Sequence, residues 1–444
     1  MILFKKIRFL FRLIIAVFKQ HSRLVFFGLI LGILFFLAFP RVIKHFPQPR
    51  KTLKIGLVGQ YQINQLPDFI LKDVSIGLTE IAENGEVKPA LAKDWEIKDE
   101  GQTYIFNLKE EAFLWHDSKP FSPADINYNF EDVEVEIKER KMTFSLKEPF
   151  SPFLSVLSKP LFKKGLVGLG DYRVKKIEMK GKNVKSVFLV PFKKSQLPNK
   201  LYRFYNHEKD LKTAFNLGEI DIIKEVFDLQ GLALGPGVKT NKILLKNAYL
   251  GIFFNTSRPP FSEKTFRQAL AYAIDKGSEE TRALGPLNSS SWAYNPDVKP
   301  YKKDIAHAQK LLENEKEGVE NQKIKISTLS QYEPIANLAK ESWAQIGLES
   351  EIHLISFIPQ DFDVLIIARE IPEDPDQYYF WHSTQPGNLA NFTSPRIDKL
   401  LEEGRKTIET DKRRDIYFDF QRFLVEESPV IFLSHPIAYT VIRD

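Results

Sequence analysis

The amino-acid sequence predicts an α/β protein of more than one domain, preceded by a single membrane helix, and three stretches carry that prediction. Residues 323–368 read as strand, helix, strand, the order that builds a partly parallel sheet covered by helices. Residues 249–275, YLGIFFNTSRPPFSEKTFRQALAYAID, read as strand, turn, helix. Residues 24–40, LVFFGLILGILFFLAFP, carry no charge and lie between Arg23 and Arg41. A chain of 444 residues is also too long for one ordinary core.

The charge is unevenly distributed. The net charge is +6, yet eleven Lys and Arg and no acid fall within residues 1–54, which leaves the remainder at −5. A mildly acidic body argues against nucleic acid, whose binding needs clustered Lys and Arg on the folded domain. With no cysteine, disulfides, thiolate metal sites, a Cys nucleophile and a lipidated N-terminal Cys are all excluded.

As a helix, residues 24–40 span about 26 Å, slightly less than a hydrocarbon core of about 30 Å, and flanking arginines can snorkel across the difference. No small-residue cleavage site follows Phe39, so an uncleaved signal-anchor is expected rather than a removed leader. Residues 7–18 suit a short amphipathic helix in the interface, and 45–52 read as a linker.

The folded part opens with a strand at 54–58 and a polar loop at 59–67. Residues 95–97 and 103–108 form a hairpin about a turn at 99–101, Ser122 and Pro123 begin a short helix, and 132–147 alternate as strands. Strands dominate 165–246. Residues 249–254 are apolar on both alternating sets, which suits a strand covered on both faces. Pro259 and Pro260 end it, Ser262 caps the next helix, Phe261 staples onto Phe266, and Lys264, Arg267 and Gln268 face outward. Helices follow at 304–313 and 333–346, the latter ended by Gly347, then strands at 348–355 and 361–368. Further helices begin at Ser394–Pro395 and at Asp411, and 430–442 are extended.

No phosphate-binding loop, zinc-protease, nucleophile-elbow or dinucleotide motif is present. The eight histidines are scattered, and His116 and His382 read as packed or surface residues. The polar stretch that stands out is 369–392, REIPEDPDQYYFWHSTQPGNLANF, at the carboxyl end of a buried strand, where open α/β sheets place ligands. Its acids, aromatics and amides suit a cleft for a polar or cationic organic ligand. Candidate contacts are Arg369, Glu370, Asp374, Asp376, Trp381 and Asn391, with Tyr61 from the loop at 59–67. Two alternatives stay open at this point: Asp374–Pro375–Asp376 as a mere capping turn, or as half of a carboxylate pair of the glycosidase kind. A metal site on Asp374, Asp376 and His382 has no specific spacing behind it.

These residues resemble the extracytoplasmic solute-binding proteins of ABC transporters, family 5, the class of dipeptide-, oligopeptide- and nickel-binding proteins. The likeness rests on PALAKDWEIKDEGQTYIFNLKEEAFLWHDSKPFSPADINYNF, with Trp95, Trp115, His116 and Asp125 in place, and on LKEPFSPFLSVLS and LGEIDII. The block holding Asn255, Pro260, Arg267 and Asp275, then DPDQYYF, NFTSPRIDKLL and RRDIYFDFQRFLVEESPVIFL, complete the set.

The resemblance implies a two-lobed periplasmic-binding-protein-like α/β fold with discontinuous lobes. The first would take 53–253, with a small subdomain at about 76–164 and completion by 433–444, and the second 254–432. Residues 1–52 would be anchor and linker, and 249–255 would carry the chain between lobes. The implied function is a membrane-anchored, extracytoplasmic receptor that captures peptides or similar polar solutes and passes them to an ABC permease and its ATPase. It implies no catalysis, no cofactor and no metal. Peptide-binding relatives place an amine-binding aspartate three residues before the DPD motif, where this chain has Ile371, with Glu370 adjacent. An anchored surface hydrolase, or a sensing or adhesion receptor on the same fold, are the competing readings.

Overall fold

A computed structural model describes residues 19–20, 22–43, 50–111, 113–193, 196–313 and 323–443. The chain divides into two units, Met1–Lys51 and Thr52–Asp444. In the first, α1 (Ser22–Ile43) is a helix with Phe26, Phe27, Leu31 and Phe36 exposed. Among the described residues no helix is long and apolar enough to cross a membrane. The uncharged part of α1, about 26 Å, falls short of the roughly 30 Å of hydrocarbon. The interfacial helix expected at 7–18 and most of the linker at 45–52 lie outside the described residues.

The second unit begins with β1 (Thr52–Val58) and α2 (Asp68–Val74), followed by a ribbon of β2 (Thr79–Ile81) and β3 (Val87–Pro89). Strands β4 (Ala92–Lys98), β5 (Thr103–Leu108), β6 (Val133–Lys138) and β7 (Lys141–Leu146) form a four-stranded antiparallel sheet in the order β4-β5-β7-β6. Between β5 and β6 the Trp115 indole donates to Asp125, whose carboxylate also accepts from the Ser122 backbone in a capping box. The short α3 (Phe153–Val156) packs beneath, Phe153 lying 4.9 Å from the Tyr104 ring.

Strands β8 (Tyr172–Lys180), β9 (Asn183–Pro191) and β10 (Asn199–Tyr205), helix α4 (Glu208–Asn216), β11 (Ile222–Val226) and β12 (Val238–Leu244) follow. With β1 and the last strand, β18 (Ile437–Arg443), they make a seven-stranded sheet, β12-β18-β11-β1-β10-β9-β8. Only β1 runs parallel to its neighbours, β10 and β11.

The second large sheet, β15-β14-β16-β13-β17, uses β13 (Ala248–Phe254), β14 (Ile324–Leu329), β15 (Ser350–Ile355), β16 (Val364–Glu370) and β17 (Val430–Ser434). Helices α5 (Lys264–Ala273), α6 (Ile305–Glu313), α7 (Glu333–Ala344), α8 (Tyr378–Trp381), α9 (Pro395–Lys406) and α10 (Thr410–Glu427) belong with it. β13 is covered on both faces, as its double apolar pattern requires: Phe254 stacks on Phe261 at 5.7 Å on one, and Phe253 stacks on Trp381 at 6.3 Å on the other. The molecule thus has two lobes, each built around its own sheet.

The α5 region corrects two sequence expectations. The helix begins at Lys264 with Glu263 in the cap position and no side-chain cap, so Ser262 does not cap it. Arg267 does not face outward but is buried, donating to the carbonyls of Phe261, Ser262 and Glu427. A guanidinium has five donors in a rigid fork, and these carbonyls leave few without an acceptor. The Phe261–Phe266 staple is present at 5.6 Å.

The chain crosses between the sheets twice, between β12 and β13 and between β17 and β18. Both crossings are short and mutually bonded: the Leu245 N–H donates to the Pro436 carbonyl, and His435 Nδ1 lies 2.8 Å from the Ala248 oxygen. Strand β13 pairs with β16 along its whole length, so the crossing itself falls at 245–247, just before it.

Candidate functional site

Strand β16 ends at Glu370, and the loop that follows is shaped by its own acids. The Asp374 carboxylate accepts the Asp376 N–H at 2.9 Å, and the Asp376 carboxylate accepts the Tyr378 N–H at 3.0 Å, two consecutive Asx turns that lead into α8. The remaining capacity of both acids goes to arginines of the α9–α10 region. Arg405 forks onto Asp376 at 2.8–3.1 Å and lies over the Tyr378 ring. Arg413, a buried residue, holds Asp374 at 2.7 Å. Burial disfavours the Arg413 charge, but Asp374 and Tyr417 more than compensate and raise its pKa. The other Asp374 oxygen accepts from Ser155 of α3 at 2.7 Å. One carboxylate therefore joins α3 to α10. Ser151 adds to the joint, donating from its backbone to Arg405 O and from its hydroxyl to Gly404 O.

Trp381 is 1% exposed and stacks on Phe253 at 6.3 Å. Arg369 pairs across the sheet with Tyr249, lies over the Phe380 ring and donates to the Gly387 carbonyl. Asn391 takes a left-handed φ of 48° and donates to Asn255 at 3.1 Å, tying this loop to the end of β13. These three sit in or beside the packed core of the second lobe.

Tyr61 and Glu370 are placed otherwise. Tyr61 packs on Phe204 in the first lobe, 5.1 Å between centroids. Burial, then the negative charges of Glu225 and Glu370, raise its phenol pKa. Desolvation likewise raises Glu225, against Lys224 and with Glu370 adding to the rise. Tyr61 and Glu225 belong to the first lobe and Glu370 to the second, so the charge of Glu370 acts on these groups across the lobes. Glu225 had no sequence signal, because its β11 is brought to the cleft only by the sheet order.

A cavity of about 240 Å³ has residues 371–373, which directly follow Glu370, in its wall, but not Tyr61, Glu225 or Glu370 themselves. The β2–β3 turn contributes Ile81, Ala82, Glu83 and Gly85, and the crossing segment contributes Asn247. The second lobe contributes Leu287, Asn288 and Ser291, and Ile371, Pro372 and Glu373 of the DPD loop. Ile371 is 6% exposed, and its N–H donates to the Asn247 carbonyl at 2.7 Å, so its side chain forms part of the wall next to the crossing. At the rim Lys72 of α2 reaches Glu373 at 3.0 Å from the opposite lobe. Apart from the DPD loop, these lining segments carried no motif. Among the described residues no group of three His, Cys, Asp or Glu is placed to hold a metal.

The family model for bacterial extracellular solute-binding proteins, family 5 middle, matches residues 86–136 and 131–391. The di/tripeptide-binding protein 1 of Pseudomonas aeruginosa is 23% identical over 87% of each chain. An ABC transporter substrate-binding protein of Listeria monocytogenes, CtaP, has the same fold with a TM-score of 0.76 and 22% identity, covering 89% of this chain and 94% of that one. NikZ of Campylobacter jejuni, solved with Ni(L-His), superposes with a TM-score of 0.74 and 24% identity over the same shares.

Proposed function

Because this chain belongs to the family 5 bacterial extracellular solute-binding proteins, and so is a binding protein and not an enzyme, we propose that it is the receptor of an ABC importer. It takes a peptide or similar small polar organic solute into the cleft between its lobes and delivers it to a permease. The cavity carries this reading: both lobes and one crossing segment line it, so closure about 245–247 and 435–436 changes its walls together. Its volume of about 240 Å³ lies below the roughly 300–1,000 Å³ typical of drug-sized ligands, which favours a solute of amino-acid to dipeptide size over a long peptide.

Within this reading Tyr61 and Glu370, neither of which lines the cavity, act as ligand contacts from opposite lobes only as the lobes close. Arg369, Asp374, Asp376, Trp381 and Asn391 act as positioning residues that hold the DPD loop and the wall at Ile371. Residues 24–40 act as a signal-anchor, with Arg23 and Arg41 at the two interfaces, and keep the receptor beside its permease.

Native mass spectrometry of protein purified without its first 50 residues tests the receptor, with an adduct of small mass expected. Thermal shifts with di- and tripeptide mixtures test it independently, since a ligand that binds only the native state raises the melting point. No adduct and no shift would overturn the reading. Alkaline carbonate extraction of membranes tests the anchor: full-length protein stays in the pellet, and its release would refute anchoring.

A further inference from the structure

The charges that line the cavity are all of one sign. Of its eleven lining residues, the only ones with a charged side chain are Glu83 and Glu373, and no Lys, Arg or His is among them. The two acids come from opposite sides, Glu83 from the turn after β2 and Glu373 from the loop after β16. Glu83 makes no ion pair or hydrogen bond through its carboxylate among the described residues. Glu373 has one partner, Lys72 at the rim, and both side chains are about half exposed, at 55% and 41%. Exposed pairs of this kind contribute little, so an entering cation can displace Lys72 at small cost.

The rest of the lining is suited to a short organic stem. Ile81, Leu287, Ile371 and Pro372 supply apolar surface, while Asn247, Asn288 and Ser291 supply side chains that can donate or accept hydrogen bonds. An anionic group would have to approach two carboxylates with no base in the wall to receive it, and like charges brought together in a cleft are strongly disfavoured. A neutral solute could fill the volume but would leave the exposed Glu83 carboxylate without a counter-charge.

We propose that the cavity selects a small organic cation, an ammonium or guanidinium group on a short aliphatic stem, with the charge between Glu83 and Glu373 and the stem against Ile371 and Leu287. This inference rests on the receptor reading and names the chemical class of its solute. Lys72 then serves as the internal cation that occupies Glu373 until the solute arrives.

The test uses three amino-acid-sized probes that differ in one charge: N-acetyl-lysinamide, N-acetyl-norleucinamide and the amide of N-acetyl-glutamate. Affinities come from isothermal titration on the folded 51–444 fragment, which contains the whole of the second compact unit. The lysine probe is expected to bind at least tenfold more tightly than the neutral one, and the acidic probe not at all. Glu83→Gln should reduce the lysine preference to within about twofold while leaving circular dichroism and melting temperature unchanged, since Glu83 holds nothing else in place. A neutral or acidic probe that binds as well as the lysine probe overturns the proposal, as does a preference that survives Glu83→Gln. If none of the three binds while peptide mixtures still shift the melting point, the cation proposal falls and the receptor reading stands. If the mixtures also fail, both fall.

Discussion

At the scale of single residues, the two acids of the DPD motif differ from their neighbour Glu373 in what their loss would do. Asp374 is the counter-charge of Arg413, and the two side chains are 14% and 8% exposed. Removing one partner of a buried pair leaves the other charge uncompensated, a loss of about 3–5 kcal/mol. Asp374→Asn should therefore lower the urea midpoint sharply and loosen α3 through Ser155. Glu373→Gln breaks only a rim pair and should cost at most about 1 kcal/mol. Equal midpoints for the two variants would show that Asp374 is not structural. Histidine 116 makes a different prediction. The Gly168 N–H donates to its Nδ1 and its Nε2 reaches the Gly170 carbonyl, which fixes the neutral tautomer with the proton on Nε2. Burial lowers its pKa, and Arg173 pulls the same way against the Gly170 carbonyl and Asp117. Between that lowered value and the ordinary 6.5, the unfolded chain binds more protons than the folded one, so stability rises with pH there and falls on acidification. Burial lowers His435 at the second crossing in the same direction. Melting temperatures measured from pH 8 to pH 5 should fall over the acid part of the range, and His116→Asn should flatten that fall. A slope unaffected by the substitution would assign it to other groups.

At the scale of elements, the legible parts were those whose signal is local. The double apolar pattern of 249–254 specified a strand buried on both faces, and Phe254 lies at 0% exposure as that pattern demands. Phe254→Ala should cost about 3–5 kcal/mol through the cavity it leaves between Phe261 and Trp343. A urea midpoint within the error of the parent would show that the site collapses to fill the space. Ser394 caps α9 as its position before Pro395 suggests, accepting from the Ile397 N–H. Gly347 adopts the left-handed φ of 85° expected just past a helix end. Arg267 was misread because helical periodicity places a residue on a face without saying what lies opposite. Here the opposite partner is the end of α10, more than 150 residues later, whose last carbonyls need donors. The DPD loop was half legible. Its residue types suggested a ligand loop, and its spacing equally suggested a capping turn. The arginines that decide the matter for Asp374 and Asp376 lie on α9 and α10, where nothing in the sequence ties them to this loop.

At the scale of the whole molecule, the wall at Ile371, the Glu83 turn and the Lys72 rim come from three segments that only the two-sheet topology brings together, so no reading of the chain in order could have assembled them. The same topology sets a test of closure. Lys72 belongs to the first lobe and Glu373 to the second, and they meet at the mouth of the cavity. If the cleft opens to admit solute, these two positions must separate at each binding event, with the motion taken up at 245–247 and 435–436. The absence of any native cysteine makes the test clean, since Lys72→Cys with Pro372→Cys, which adjoins Glu373 and leaves its carboxylate for the solute, introduces the only two thiols. Joined by a short bismaleimide in the presence of solute, the doubly substituted protein should retain it through extensive dialysis, while the uncoupled protein releases it. Joined in its absence, the same protein should fail to take solute up. Solute exchange that proceeds equally before and after coupling would mean that the cavity fills without separation of the lobes at this rim, and the closure mechanism would have to be abandoned even if the family and the fold stand.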